Sequence, residues 1–237
     1  MVIREQKMVK NNFKSSIVKK EIDNALEYYE NSIIPRAMVQ TIPVVGSSID
    51  TILTGKISRN WRNNVLKLLQ DLKKRLDGIE EKYLDFKYIH SEDFEALIFQ
   101  ILFSLQTTYQ EEKIKLFSKI IANSVQIKFS KELRKERIVK IIEELTILHI
   151  KIIVLFVEKK KLLLKNIENK NDLIILTSDE IAKNLNVNKY EIEAFCSDLL
   201  ARAIIYDPHI GTYDYKPGSY ALHLSAQSFI EILDLNC

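Results

Sequence analysis

Glycine and proline are scarce in this chain, five and four among 237 residues. That count argues against a fold built on many tight turns, Gly-rich phosphate loops or Pro-rich linkers. The abundance of Ile, Leu and Lys points instead to helices joined by short connections. Cysteine is scarcer still, with Cys196 inside an apolar helical pattern and Cys237 at the end. Two such residues make neither a disulfide framework nor a metal-ligand spacing, so the chain reads as cytosolic. An apolar run long enough to cross a bilayer, about 20 residues, is missing, and the first twenty residues lack the apolar stretch of a signal peptide. The catalytic signatures are missing too: there is no P-loop, no dinucleotide glycine fingerprint, no HExxH and no nucleophile elbow. The four histidines, His90, His149, His209 and His223, stand far apart in unlike contexts. Asp207, His209, Asp214 and His223 fall near one hairpin tip, but an exposed tip offers no concave pocket. No enzyme activity, cofactor or metal is expected.

What remains is an ordinary globular composition, 46% apolar and 28% charged, in a chain long enough to bury a core. The net charge is only +3, yet it is unevenly placed. Residues 1–20 carry six lysines and arginines against Glu5 alone, and residues 56–75 carry seven against Asp71 alone. The amino-terminal third is therefore the basic third. Basic faces attract phosphate-bearing partners, although a solvated helix face is the commoner reason for such runs.

Taken in order, residues 1–14 read as a basic flexible arm, 15–130 as a helical bundle and 131–237 as a winged-helix-like domain with a small β-hairpin. The fold class expected is mostly α. Within the bundle, Pro43 breaks the helical pattern, and Gly46, Ser47 and Ser48 bring little side-chain bulk. PVVGSSID reads either as a tight turn between buried helices or as a membrane-inserting, rearranging segment. A long helix is expected from a cap at Ser58 toward Tyr83 or Phe86, with Trp61, Val65, Leu68, Leu69, Leu72, Leu76, Ile79 and Tyr83 as its seam. Gly78 falls inside it and predicts a bend or a close neighbour. Ser91 caps a helix carrying Phe94, Leu97, Ile98, Ile101, Leu102 and Leu105. Glu111 and Glu112 open another, carrying Ile114, Phe117, Ile120, Ile121 and Val125.

The carboxy-terminal part changes character. Ser130 is read as the cap of a helix with interleaved charges, and Thr146 as the start of an apolar helix in which His149 is a satisfied core histidine. Thr177 with Glu180 makes a capping box, and Asn188 opens a second helix after a short turn. Ile204 to Tyr206 and Tyr220 to Leu224 read as paired strands, and Ser225 as the cap of a final helix. Helix, turn, helix and hairpin in this order make a winged helix. Such a module invites a DNA-binding reading, but from Lys189 to Leu200 the second helix offers one lysine against Glu191, Glu193 and Asp198. Phosphates would be repelled, since a DNA-reading helix needs basic and amide groups. Only Lys183, Asn184, Asn186 and Asn188 in and near the turn fit that need.

Over residues 85–237 the chain resembles the Abi-alpha proteins, a bacterial family linked to abortive phage infection. The resemblance rests on Glu111, Glu112 and Lys113 leading into Leu116, Phe117, Ile120, Ile121, Ala122 and Asn123, and on the helices at 137–145 and 146–157. It extends to Tyr220–Leu224, Ser225 and the stretch from Phe229 to Leu233. The chain departs from the family at Phe117, where a tryptophan is expected, and at Gln227 and Ser228, where a glycine is expected. Residues 1–90 are similar to bacterial HeLo or MLKL-like helical cell-death domains. Neither resemblance supplies an active-site residue. Together they imply an antiphage protein that acts by regulated membrane association or oligomerisation. The membrane or switch segment would be Pro43, Val44, Val45, Gly46, Ile49, Ile52 and Leu53, and the anionic-surface contacts Lys56, Arg59, Arg62 and Lys67. The expected partners are further copies of the chain or another protein, then an anionic membrane surface, with nucleic acid ranked below. Location would be the cytoplasm, extending to the periphery of the inner membrane. A DNA-binding winged-helix regulator and a helical protein–protein adaptor are the alternatives.

Overall fold

A computed structural model describes residues 58–131, 135–166, 174–211, 213, 217–233 and 235. The chain divides into two compact units, Met1–Lys131 and Glu132–Cys237. The protein is mostly helical, with one small three-stranded antiparallel sheet in its carboxy-terminal part.

In the first unit α1, Arg59–Leu76, begins where the Ser58 side chain accepts a hydrogen bond from the Trp61 backbone N–H, 3.3 Å. Its buried stripe is Val65, Leu68, Leu72 and Leu76. The helix ends at Leu76, short of the expected Tyr83. Gly78 follows it in a turn, Glu81–Tyr83 forms a separate single turn, and Tyr83 is exposed. The stop has a visible cause, because Leu84 pairs with Gln126 and the Asp85 N–H donates to the Val125 carbonyl at 2.8 Å. Those bonds require extended backbone, which a continuing helix would forfeit. Asp85 then caps the short α2, Phe86–Ile89.

Helix α3, Glu92–Thr107, is capped by Ser91 and has Glu92, Asp93 and Glu95 in its first turn. Helix α4, Glu111–Ser124, begins with Glu111 and Glu112. Carboxylates there face the positive end of the helix dipole. Helix α1 packs against both α3 and α4, and the apolar faces of all three, including Phe94, Ile101, Phe117 and Ile120, are buried. Polar ties lock this core. Trp61 Nε1 donates to the Leu102 carbonyl at 3.0 Å, and buried Asn64 donates through Nδ2 to the carbonyls of Leu105 (2.9 Å) and Thr108 (2.7 Å). A helix leaves its last carbonyls without intrahelical donors; here a side chain of α1 supplies them. Arg75 Nε binds Asp71 Oδ2 at 2.9 Å and the buried Ser118 hydroxyl at 3.0 Å, joining α1 to α4. A one-turn helix, α5, Ile127–Ser130, closes the unit. Ser130 is its last residue; residues 132–134, next to the start of the helix it is expected to cap, lie outside the described residues.

The second unit opens with α6, Lys135–Glu144, and α7, Ile147–Asn166. Strand β1, Ile175–Thr177, leads into α8, Ser178–Leu185, and then α9, Lys189–Ala201. Strands β2, Ile205–Tyr206, and β3, Ser219–Leu222, are followed by a single turn at Leu224–Ala226 and by α10, Gln227–Ile232. The sheet order is β1-β3-β2, all antiparallel, with Leu176 opposite Tyr220 and Ile205 opposite Leu222. This succession is that of a winged helix, with β1 as a third strand beyond the expected hairpin. Its core is drawn from Ile152 and Phe156 of α7, Ile181 of α8, Ile192, Cys196 and Leu199 of α9, and Ala221 of β3.

Local chemistry explains the boundaries. Thr177 and Glu180 form the reciprocal capping box, Asn186 closes α8 in the left-handed conformation at φ 53°, and Asn188 caps α9 through the Tyr190 N–H. The final turn is capped by His223 and not by Ser225, because His223 Nδ1 accepts from the Ser225 N–H at 3.0 Å. Ser225 Oγ donates instead to the Ala203 carbonyl at 2.8 Å. Gly218, at φ 91°, lies where an added Cβ would stand 2.8 Å from Ser178 Oγ. Its carbonyl accepts from the Ser178 N–H at 2.8 Å, which holds the base of the wing against the start of α8.

Candidate interaction surfaces

The switch segment read from the sequence, Pro43, Val44, Val45, Gly46, Ile49, Ile52 and Leu53, lies outside the described residues, as does Lys56. Arg59, Arg62 and Lys67 all stand on α1. Arg59 and Lys67 are exposed and Arg62 is half-buried. At about 100° per residue, Lys67 lies about 140° around the helix from Arg62, so the three do not form one stripe. Lys67 is moreover paired with Glu111 of α4. That hydrogen bond, with the lysine charge behind it, holds the Glu111 carboxyl below its ordinary range.

The exposed side of α9 is acidic and aromatic. Its one lysine, Lys189, donates to Asp179 Oδ2 at 2.7 Å, and this bond pushes the lysine pKa up. Beside it Tyr190 is 80% exposed, followed along the helix by Glu191, Ala194, Ser197 and Asp198 at the surface. The amides near the turn are partly spent on their own backbone. Asn184 donates to the Glu180 carbonyl at 2.7 Å, and Asn188 accepts from Tyr190. The wing adds exposed Ile210 and Tyr213. Lys183 near the turn is exposed, but on α9 itself carboxylates outnumber the one lysine, a balance that disfavours phosphate contacts. Aromatic side chains ringed by polar ones are what protein interfaces use as anchors. Sequence periodicity marks Tyr190 as lying off the Ile192, Cys196 and Leu199 stripe. It carries no information on how far the side chain stands out.

Several of the described groups with catalytic potential make structural contacts. His149 is only 3% exposed. Its Nδ1 accepts from the Thr146 N–H at 3.0 Å, which leaves the ring proton on Nε2, 3.5 Å from Asp198 Oδ2. The ring stacks edge-on against Phe195. It thus works as a cap for α7 and a contact with α9. Burial pushes the Cys196 thiol up to about 12, so it is a poor nucleophile and a packing residue. Asp207 Oδ1 accepts from the His209 N–H at 2.9 Å in a local turn, and His223 lies edge-on to Tyr206. Asp214 is outside the described residues. Among the described residues no three potential ligands gather to hold a metal ion, and no helix is long and apolar enough to cross a membrane.

No family model, no curated protein and no solved structure matches this chain.

Proposed function

We propose that this chain is a non-enzymatic protein of bacterial antiphage defence whose winged module binds another protein or a second copy of the chain. Binding governs association of the amino-terminal region with an anionic membrane surface. The observation that carries the protein-binding part is the outer side of α9, where Tyr190 stands exposed among carboxylates and Lys189 is already engaged by Asp179. The defence setting rests on the resemblance of residues 111–123 and of the helices that follow. The membrane part rests on the small and apolar residues 43–53 next to the basic start of α1. One basic amphipathic segment binds lipid only marginally, so oligomerisation would have to supply the rest.

The purified full chain, mixed with anionic and with neutral vesicles, is expected to sediment with the anionic ones alone and to release an entrapped dye. Sedimentation with neither removes the membrane part and leaves the helical adaptor reading, which the acidic face of α9 favours equally. Duplex DNA at low salt is expected to give no mobility shift. A shift that weakens steeply with added salt would overturn the protein-binding reading in favour of a DNA-binding regulator.

A further inference from the structure

We propose that the second unit holds a binding site for a small oxyanion, a carboxylate or a phosphate group, in the cleft between α6, the turn after α9 and the start of α10. The cleft is about 30 Å³, and Arg137 and Arg202 both line it above a floor that includes Ile141, Ile204 and Phe229. Such a volume holds a few waters or one oxyanion head and is far too small for a nucleotide.

The two arginines are differently committed. Arg202 gives Nη1 to Glu144, while its Nε is buried with no hydrogen-bond partner. Arg137 makes no ion pair among the described residues. Two guanidinium groups against one carboxylate leave a positive charge over at the cleft, which favours an anion there. The side-on fork of a guanidinium, Nε with its neighbouring Nη, is the edge that grips carboxylate or phosphate with two parallel bonds. On Arg202 that edge has an idle donor, which the side chain must turn toward the cleft to offer.

The backbone around Arg202 is held in place. Ala203 sits at φ 55°, a region that alanine rarely adopts. Its carbonyl is clamped by Ser225 Oγ at 2.8 Å, and the Arg202 N–H is tied to the Asp198 carbonyl at 3.3 Å. Ser228 also lines the cleft. A positioned guanidinium loses less freedom on binding than a loose one. The inference is independent of the protein-binding reading, since it needs neither a partner protein nor a membrane.

The test uses the full chain in chloride buffer at constant ionic strength, titrated with inorganic phosphate and separately with acetate, while the arginine Nε–H signals are followed by NMR. A saturable shift of the Arg202 signal is expected, weakened at least about tenfold in Arg137→Gln. That variant changes an exposed side chain without an ion pair among the described residues, and its melting curve should overlay the parent's. Tighter binding of acetate would assign the site to carboxylates, and tighter binding of phosphate to phosphate groups. No saturable shift with either anion overturns the proposal. Equal affinity in the parent and in Arg137→Gln overturns it as well, because the anion would then be bound elsewhere.

Discussion

The two units offer contrasting ways to satisfy helix ends, a carboxy end in the first and amino ends in the second. In the first, α3 ends on Asn64 and Trp61, side chains of α1 that reach its carbonyls from 41 and 44 residues away in sequence. In the second, α8 and α9 begin on Thr177, Glu180 and Asn188, each within three residues of the group it satisfies. The first arrangement ties helix ends to the packing of the bundle, so an end and a neighbouring helix stand or fall together. The second makes each helix start a local matter, independent of how the neighbouring helices pack.

The contrast can be broken by substitution. Asn64→Leu keeps the volume but leaves two carbonyls without donors, and is expected to cost about 1–3 kcal/mol. The loss should be read by urea unfolding, with faster hydrogen exchange across α1, α3 and α4 and unchanged exchange in α8 and α9. Thr177→Ala removes one half of a capping box and should cost about 1 kcal/mol, with faster exchange confined to the first turn of α8. A larger loss from Thr177→Ala than from Asn64→Leu would reverse the comparison. Lys67→Ala removes a tie that also spans the two helices α1 and α4, but at the surface, where such pairs contribute little. Its melting midpoint should not move measurably, while the Glu111 carboxyl should rise toward its ordinary value of 4.5 in an NMR titration. A clear drop in midpoint would show that exposed ties matter in the bundle as much as the buried one.

The expectations that held on particular elements were those with a short-range signature. Ser91, Thr177 with Glu180, and Asn188 announced helix starts, and the apolar spacing of α3 and α4 announced their buried stripes. The expectations that failed were those in which a distant strand or side chain intervened. The seam through Ile79 to Tyr83 continues the helical spacing of α1 in sequence. The chain nevertheless leaves the helix so that Leu84 and Asp85 can meet Val125 and Gln126. Ser225 has the chemistry of a cap, yet its hydroxyl goes to Ala203, His223 caps the single turn before α10, and α10 itself starts without a side-chain cap. Strand β1 is only three residues long, too short to show alternation. The candidate surfaces were legible in part. The acidic balance of α9 is plain in the sequence, whereas the exposure of Tyr190 and the engagement of Lys189 by Asp179 are not.

Composition, periodicity and caps are properties of neighbours along the chain, and they determined the helical class, the helix-turn-helix and the sign of charge on α9. Tertiary structure decided which polar groups have partners: Asn64 with the end of α3, Lys67 with Glu111, and Arg202 with Glu144 across 58 residues of sequence. The reason is physical. A cap is satisfied within one turn of its own helix, but a side chain that crosses between helices finds its partner only after apolar faces have packed and fixed the distance.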